Sequence, residues 1–219
     1  MKKYGILFSA LLLCFAFSAC GKSSSNETLK EPEGNTIATE NNKEQSNKKT
    51  LDSVGDSLYD PNTGTVTLNS SKDLREKKLT IGDLSITFVD AKVITVTNIS
   101  VVFKEKLEQV FGVQPKEFTY AQIKYNTENT GNDDISWRGF LQAVNEKKQQ
   151  VDLDFNLDLG LPNPSSIKMM SKSRLDNNML WVPVDKTEKR IRLKAADVLK
   201  DDNSKSDFIV YGKEITLDL

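Results

Sequence analysis

Downstream of Leu58 the apolar residues fall on every second position, in run after run, and each run is short. Leu84, Ile86 and Phe88 alternate with Ser85 and Thr87, and Ala121, Ile123 and Tyr125 alternate with Gln122, Lys124 and Asn126. The same period recurs at Ile135, Trp137, Gly139 and Leu141, at Val151, Leu153, Phe155 and Leu157, and at Leu180, Val182 and Val184. Ile191 and Leu193, Phe208 to Tyr211, and Ile215 to Leu219 complete the series. Successive side chains of a strand point to opposite faces, so a period of two marks strands with one dry and one wet face. Turn formers separate the runs: Gly82-Asp83 reads as a bend or bulge, and Asn129-Thr130-Gly131-Asn132 as a turn. Pro183 marks an edge strand or a strand end, because it has no N–H to give a neighbour. Many short strands punctuated in this way predict a mainly β chain folded as an antiparallel sandwich.

One segment follows another period. Phe103, Leu107, Val110 and Phe111 lie at helical spacing, Ser100 stands before them as an N-cap, and Gly112 and then Pro115 stop the run. A helix of about ten residues between strands is expected there. A shorter helical turn is expected at Lys194 to Lys200, ahead of the polar loop Asp201-Asp202-Asn203-Ser204.

The N-terminal quarter reads differently. Lys2 and Lys3 precede an apolar run from Ile6 to Phe17, long enough for a signal peptide and short for a membrane span. Ser18 and Ala19 are small, and Cys20 and Gly21 follow. Phe17-Ser18-Ala19-Cys20 resembles the lipobox of bacterial lipoproteins, with phenylalanine where that family usually has leucine. The resemblance implies cleavage between Ala19 and Cys20, diacylglycerol on the Cys20 sulfur, and a mature chain held on the outer side of the cell membrane. Two or three acyl chains anchor far more firmly than one, since each buried methylene contributes about 0.8 kcal/mol. From Gly21 to about Ser57 polar residues dominate, and Leu29, Ile37, Leu51 and Val54 stand isolated. So few apolar groups do not offset the entropy of ordering, and a flexible tether with a reach of about 35 Å is expected. The expected organisation is therefore a leader over residues 1–19, a tether over 20–57 and a β-sandwich over 58–219.

Composition then narrows the chemistry. The chain has no histidine, which excludes Ser-His-Asp and Cys-His catalysis and any His-ligated metal. Its cysteines are Cys14 and Cys20, so loss of the leader leaves a single thiol and no internal disulfide. Loss of Lys2 and Lys3 leaves 28 basic against 31 acidic side chains, a net of −3, which favours neither nucleic acid nor an anionic membrane surface as a partner.

Tyr120 to Gly131, ending in Glu128-Asn129-Thr130-Gly131, resembles a strand and turn of an immunoglobulin-like domain of unknown function carried by many Gram-positive lipoproteins. Asp133-Asp134-Ile135-Ser136-Trp137, Leu180 to Asp185 and Arg190 to Leu193 extend the likeness, which covers roughly Leu79 to Leu219. Met169 to Arg174 departs from it where the family often has a Pro-Gly turn. The resemblance implies an immunoglobulin-like sandwich and brings no chemistry with it.

Several polar or unusual groups are candidates for a site. Asp152, Asp154, Asn156 and Asp158 have the alternation of a calcium loop. Leu157 stands where that loop needs glycine, however, and Asn163 where it needs glutamate. The cluster reads better as the wet face of a strand, with weak divalent binding as a minor possibility through Asp152, Asp154 and Asp158. Glu128, Asp133 and Asp134 are available to a carboxylate-based hydrolase, but turn chemistry accounts for them. Trp137 and Trp181 suit a core or an aromatic platform. Leu161, Met169 and Met170, in and after a loop stiffened by Pro162 and Pro164, are with Trp137 the candidates for contact with a partner. The expected function is a non-catalytic surface domain, without a cofactor, that binds a protein or cell-wall component. The alternatives are a cell-envelope hydrolase and a weak divalent-cation-binding surface protein.

Overall fold

The computed structural model describes residues 50–154, 156, 167–200 and 208–219. They lie within one compact unit, Ser46–Leu219. The leader, Ala19, Cys20 and nearly all of the tether are outside the described residues, as are Phe155, Leu157, Asp158, Leu161 and the loop from Asp201 to Ser204.

The elements run in order as β1 (Ser57–Asp60), β2 (Gly64–Asp73), β3 (Lys78–Ile81), β4 (Leu84–Thr97), helix α1 (Val101–Phe111) and β5 (Phe118–Asn129). Then come β6 (Ile135–Trp137), β7 (Phe140–Val144), β8 (Gln150–Asp152), β9 (Ile167–Met169) and β10 (Arg174–Pro183). β11 (Arg190–Ala195), β12 (Val198–Lys200), β13 (Phe208–Val210) and β14 (Glu214–Asp218) follow. Every pairing among them is antiparallel.

The first layer is a sheet in the order β1-β2-β4-β5-β10, with β3 alongside the first half of β4. Leu84, Ile86 and Phe88 face inward from β4, as their alternation predicts. A bulge between Phe88 and Asp90 then inserts one residue, so Ala91 and Val93 continue the inward row. The same slip turns Ile94 and Val96 to the opposite face, where they join a second apolar cluster.

The second layer is two short sheets, β13-β12-β6-β9 and β14-β11-β7-β8. The pairs β6 and β7, β11 and β12, and β13 and β14 are each consecutive in the chain and occupy the same place in the two orders. Three neighbouring strands thus break together, at Arg138-Gly139, at Ala196-Asp197 and at Tyr211-Gly212-Lys213, as one sheet folded along a line. Lys194 to Lys200, expected as a helical turn, is this crossing from β11 to β12. Pairing of Ala195 with Phe140 and of Val198 with Trp137 and Val210 overrides the local helix preference of the alanines.

The two layers enclose the main core. Phe140 sits at its centre, with Phe88 at 5.9 Å, Tyr125 at 5.4 Å and Trp137 at 5.5 Å between ring centroids. The last two contacts are edge-to-face, the arrangement that ring quadrupoles favour. Trp137 also donates its indole N–H to the Ala196 carbonyl at 3.2 Å. Among the described residues the architecture is an antiparallel β-sandwich with one short helix.

That helix, α1, lies on the outer face of the first sheet. Ser100 caps it, its Oγ accepting from the Phe103 N–H at 3.1 Å, and Gly112 ends it in the left-handed region at φ 69°. Phe103 and Leu107 press on Leu68, Ile94, Val96 and Tyr120. Leu51 packs against the same cluster, and its carbonyl accepts from Lys92 Nζ at 3.2 Å. Leu51, isolated in sequence and ahead of β1, finds its apolar partners only in the fold.

Candidate binding surface

Among the described residues, those singled out in the sequence do not converge. Trp137 and Met169 are 1% and 2% exposed, so as side chains of the core they offer nothing to a partner. Met170, next to Met169, is 69% exposed. Asp152 ends β8 and Asp154 lies in a turn beyond it, both exposed. Asn156 is not on a wet strand face, because the strand stops at Asp152 and the Asn156 side chain is fully buried. Among the described residues no three acidic or cysteine side chains gather as metal ligands. Asp133 and Asp134 lie beside lysines, Asp133 at 3.5 Å from Lys200 and Asp134 at 3.4 Å from Lys168. Asp134 also accepts the Ser171 N–H, and Glu128 stands exposed on β5.

Two asparagine amides do structural work that alternation could not reveal. Asn129, fully buried, donates to the carbonyls of Asp133 at 2.8 Å and Met170 at 3.1 Å and accepts from the Gly131 N–H at 3.0 Å. It ties the turn after β5 to the segment that follows β9. Asn156 accepts from the Trp181 N–H at 2.7 Å and donates to the Trp181 carbonyl at 3.0 Å. The amide thereby stands in for a neighbouring strand residue along the outer edge of β10. Trp181 itself stacks on Tyr120 at 4.1 Å and meets Phe103 edge-on, beneath α1. It is part of the packing and not a platform.

The opposite edge of the molecule is built differently. Among the described residues β14 is the last strand of its sheet and pairs with β11 alone. Leu219 N–H donates to the Lys189 carbonyl and Ala195 N–H to the Lys213 carbonyl. Hydrogen-bonded pairs of an antiparallel ladder recur every second residue, so Ile215 and Leu217 bond inward to β11 as well. Glu214, Thr216 and Asp218 consequently direct their N–H and C=O groups away from the sheet. Among the described residues none of these backbone groups has a partner.

Among the described residues three hollows border β14. One groove, of about 570 Å³, is lined by Lys72, Asp73, Arg75, Glu76, Lys77 and Asp218, with buried Leu74 beneath. On the open face of the sheet a depression of about 360 Å³ includes Glu146, Arg190, Arg192 and Thr216. A third, of about 80 Å³, includes Gln142, Gln150, Lys194 and Glu214 and shares Arg192 with the second. Each of the outward residues of β14 therefore borders one of them. Charges here are loosely paired: Arg192 to Glu214 at 3.4 Å, Arg190 to Glu146 at 3.5 Å and Lys77 to Asp218 at 3.8 Å. Exposed pairs of this kind hold weakly and exchange partners readily. Asp73 is the exception, held down to about 2 by hydrogen bonds from the Arg75 side chain and backbone.

The strand Ile215 to Leu219 is legible in the sequence, but its place at an edge is not. Alternation reports which face is wet, and both central and edge strands can have one wet face.

No protein-family model and no curated protein matches this chain. A functionally unknown protein from Listeria monocytogenes EGD-e, known from its crystal structure, is similar to it with a TM-score of 0.46 and 11% identity, over 71% of this chain and 88% of that one.

Proposed function

We propose that this chain is a lipid-anchored protein on the outer side of the cell membrane, whose sandwich domain binds a protein or cell-envelope component without chemistry of its own. One observation carries the reading: Lys2-Lys3, the apolar run Ile6 to Phe17, and Ser18-Ala19 directly before Cys20. The polar stretch that follows Cys20 supports it, since a spacer lifts a folded domain clear of the headgroups. The binding half of the proposal draws support from the described surface. Its hollows are lined by charged and amide side chains around an open strand edge, and its candidate carboxylates Asp133 and Asp134 are engaged by lysines. A purely binding role needs no more than such a surface on an anchor.

Mass spectrometry of the native protein tests the anchor. The expected result is a mature N-terminus at Cys20 carrying acyl chains, with Cys20→Ser releasing the chain from the membrane fraction. A bare Cys20 thiol, or a leader still attached, overturns the proposal.

A further inference from the structure

Two edge strands, β10 in the first layer and β14 in the second, are finished in opposite ways, and the contrast carries an inference about what binds. Open strand edges invite pairing with another chain, and proteins commonly block them. On β10 the blocks are in place: Pro183 lacks an N–H, Asn156 occupies both backbone groups of Trp181, and a bulge lies between Leu175 and Asn178. On β14, a strand of five residues, there is no proline and no bulge, and among the described residues no amide occupies its outer backbone groups.

From this we infer that β14 accepts an extended polypeptide segment as an additional antiparallel strand, and that the segment carries Lys or Arg opposite Glu214 and Asp218. The inference rests on the reading of the domain as a binding module and names its surface and ligand chemistry. The N–H and C=O groups of Glu214, Thr216 and Asp218 form the new ladder. Main-chain bonds supply affinity in this mode, and alternate side chains supply selectivity. The outward side chains of β14 are acidic, neutral, acidic in order. Their present partners, Arg192 at 3.4 Å and Lys77 at 3.8 Å, are exposed and leave both carboxylates accessible to an incoming cation. The Lys72 to Lys77 groove, which Asp218 borders, gives room for side chains of the added strand.

Pairing of β14 with a second copy of itself is disfavoured in the register centred on Thr216. Antiparallel pairing of β14 with itself about Thr216 sets Glu214 opposite the copy's Asp218, and does so twice. Like charges directly opposite in a ladder are destabilising. Charge thus disfavours that self-pairing and favours a strand with basic residues opposite Glu214 and Asp218.

The test uses the full-length chain in detergent micelles and a short synthetic peptide that alternates lysine with valine and threonine. Binding is expected to shift the amide resonances of Glu214, Thr216 and Asp218 and to slow their hydrogen exchange. Thr216→Pro removes only an outward-pointing N–H, a position where an edge strand tolerates proline. It should weaken the peptide about tenfold, the loss expected for one ladder bond and a misplaced neighbour. Should that variant fold poorly by near-ultraviolet circular dichroism, Glu214→Lys with Asp218→Lys gives an independent reading. It should lose the lysine peptide and gain the matching aspartate peptide. Unchanged peptide selectivity in the reversed variant overturns the inference, as does a self-dimer lost on Thr216→Pro, or no binding by the unaltered chain. Peptide binding with shifts confined to another face overturns the assignment to β14 while leaving the binding-module reading in place.

Discussion

At the scale of the residue, two fully buried amides, Asn129 and Asn156, help to hold the strands, and only the turn at the first is legible in the sequence. Asn129-Thr130-Gly131 is legible as a turn because its composition fits no strand. The far partners of Asn129 are not legible, since the Met170 carbonyl lies forty-one residues away. Asn129→Ala strands the buried Gly131 N–H and the partly buried carbonyls of Asp133 and Met170. Unfolding by urea should find it destabilised by about 2–4 kcal/mol, whereas Thr130→Ala, at an exposed site, should cost about 1 kcal/mol or less. Asn156 was misplaced by alternation because the period of two ends at Asp152, and nothing in the composition announces the end. A second residue-scale test concerns Asp73. Its folded pKa is depressed to about 2, so the stabilisation from Arg75 is present above the ordinary carboxylate range and is lost as pH falls through 2. A carbon-detected NMR titration should place the Asp73 midpoint near 2 and return it to the usual carboxylate range in Arg75→Ala.

At the scale of the element, helix α1 was readable from end to end because its start, its face and its stop are each written locally. Ser100 accepts the Phe103 N–H, Phe103 and Leu107 are the buried face, and Gly112 takes φ 69°. These terms are separable. Ser100→Ala removes the cap and should cost about 1 kcal/mol. Gly112→Ala meets no atom within 4 Å, so its cost is conformational alone, about 1 kcal/mol, from a Cβ in the left-handed region. Both losses should appear in thermal melts of the full chain as modest, nearly additive shifts, since the sites lie at opposite ends of the helix. β4 was only half readable. Its first inward row, Leu84 to Phe88, is plain, but the bulge before Asp90 reverses the phase. Beyond it, Val93, Ile94 and Val96 are all buried, on two different faces. A sheet covered on both sides loses the alternation that identifies it, and the helix that covers the second face is known only once the fold is formed.

At the scale of the whole molecule, the feature that sequence patterning could not supply is the shared line of breaks across the second layer. Each break looks like an ordinary loop or turn on its own: Arg138-Gly139 within an alternating run, Ala196-Asp197 within an apparent helical turn, Gly212 after Tyr211. Only pairing brings them into line, and the alignment lets one layer curve over the core while β11 and β12 keep neighbours on both sides. The line is also where the layer is least forgiving. At Gly212 an added Cβ would lie 2.1 Å from the Ala195 carbonyl oxygen and 2.7 Å from the Ala196 carbonyl carbon, both backbone atoms of the adjacent break. Neither can move without disturbing its own bonds: Ala195 N–H donates to the Lys213 carbonyl, Ala196 N–H to the Gly139 carbonyl, and the Ala196 carbonyl receives the Trp137 indole. Gly212→Ala should therefore cost about 3 kcal/mol or more, well beyond Gly112→Ala, although both add the same methyl group. The damage should reach the core, because displacement of Ala196 frees the Trp137 N–H and loosens its contact with Phe140. Near-ultraviolet circular dichroism and urea midpoints measured together decide the matter. A Gly212→Ala chain with a wild-type tryptophan signature and a midpoint like that of Gly112→Ala would mean that the three breaks are independent loops and not one fold line.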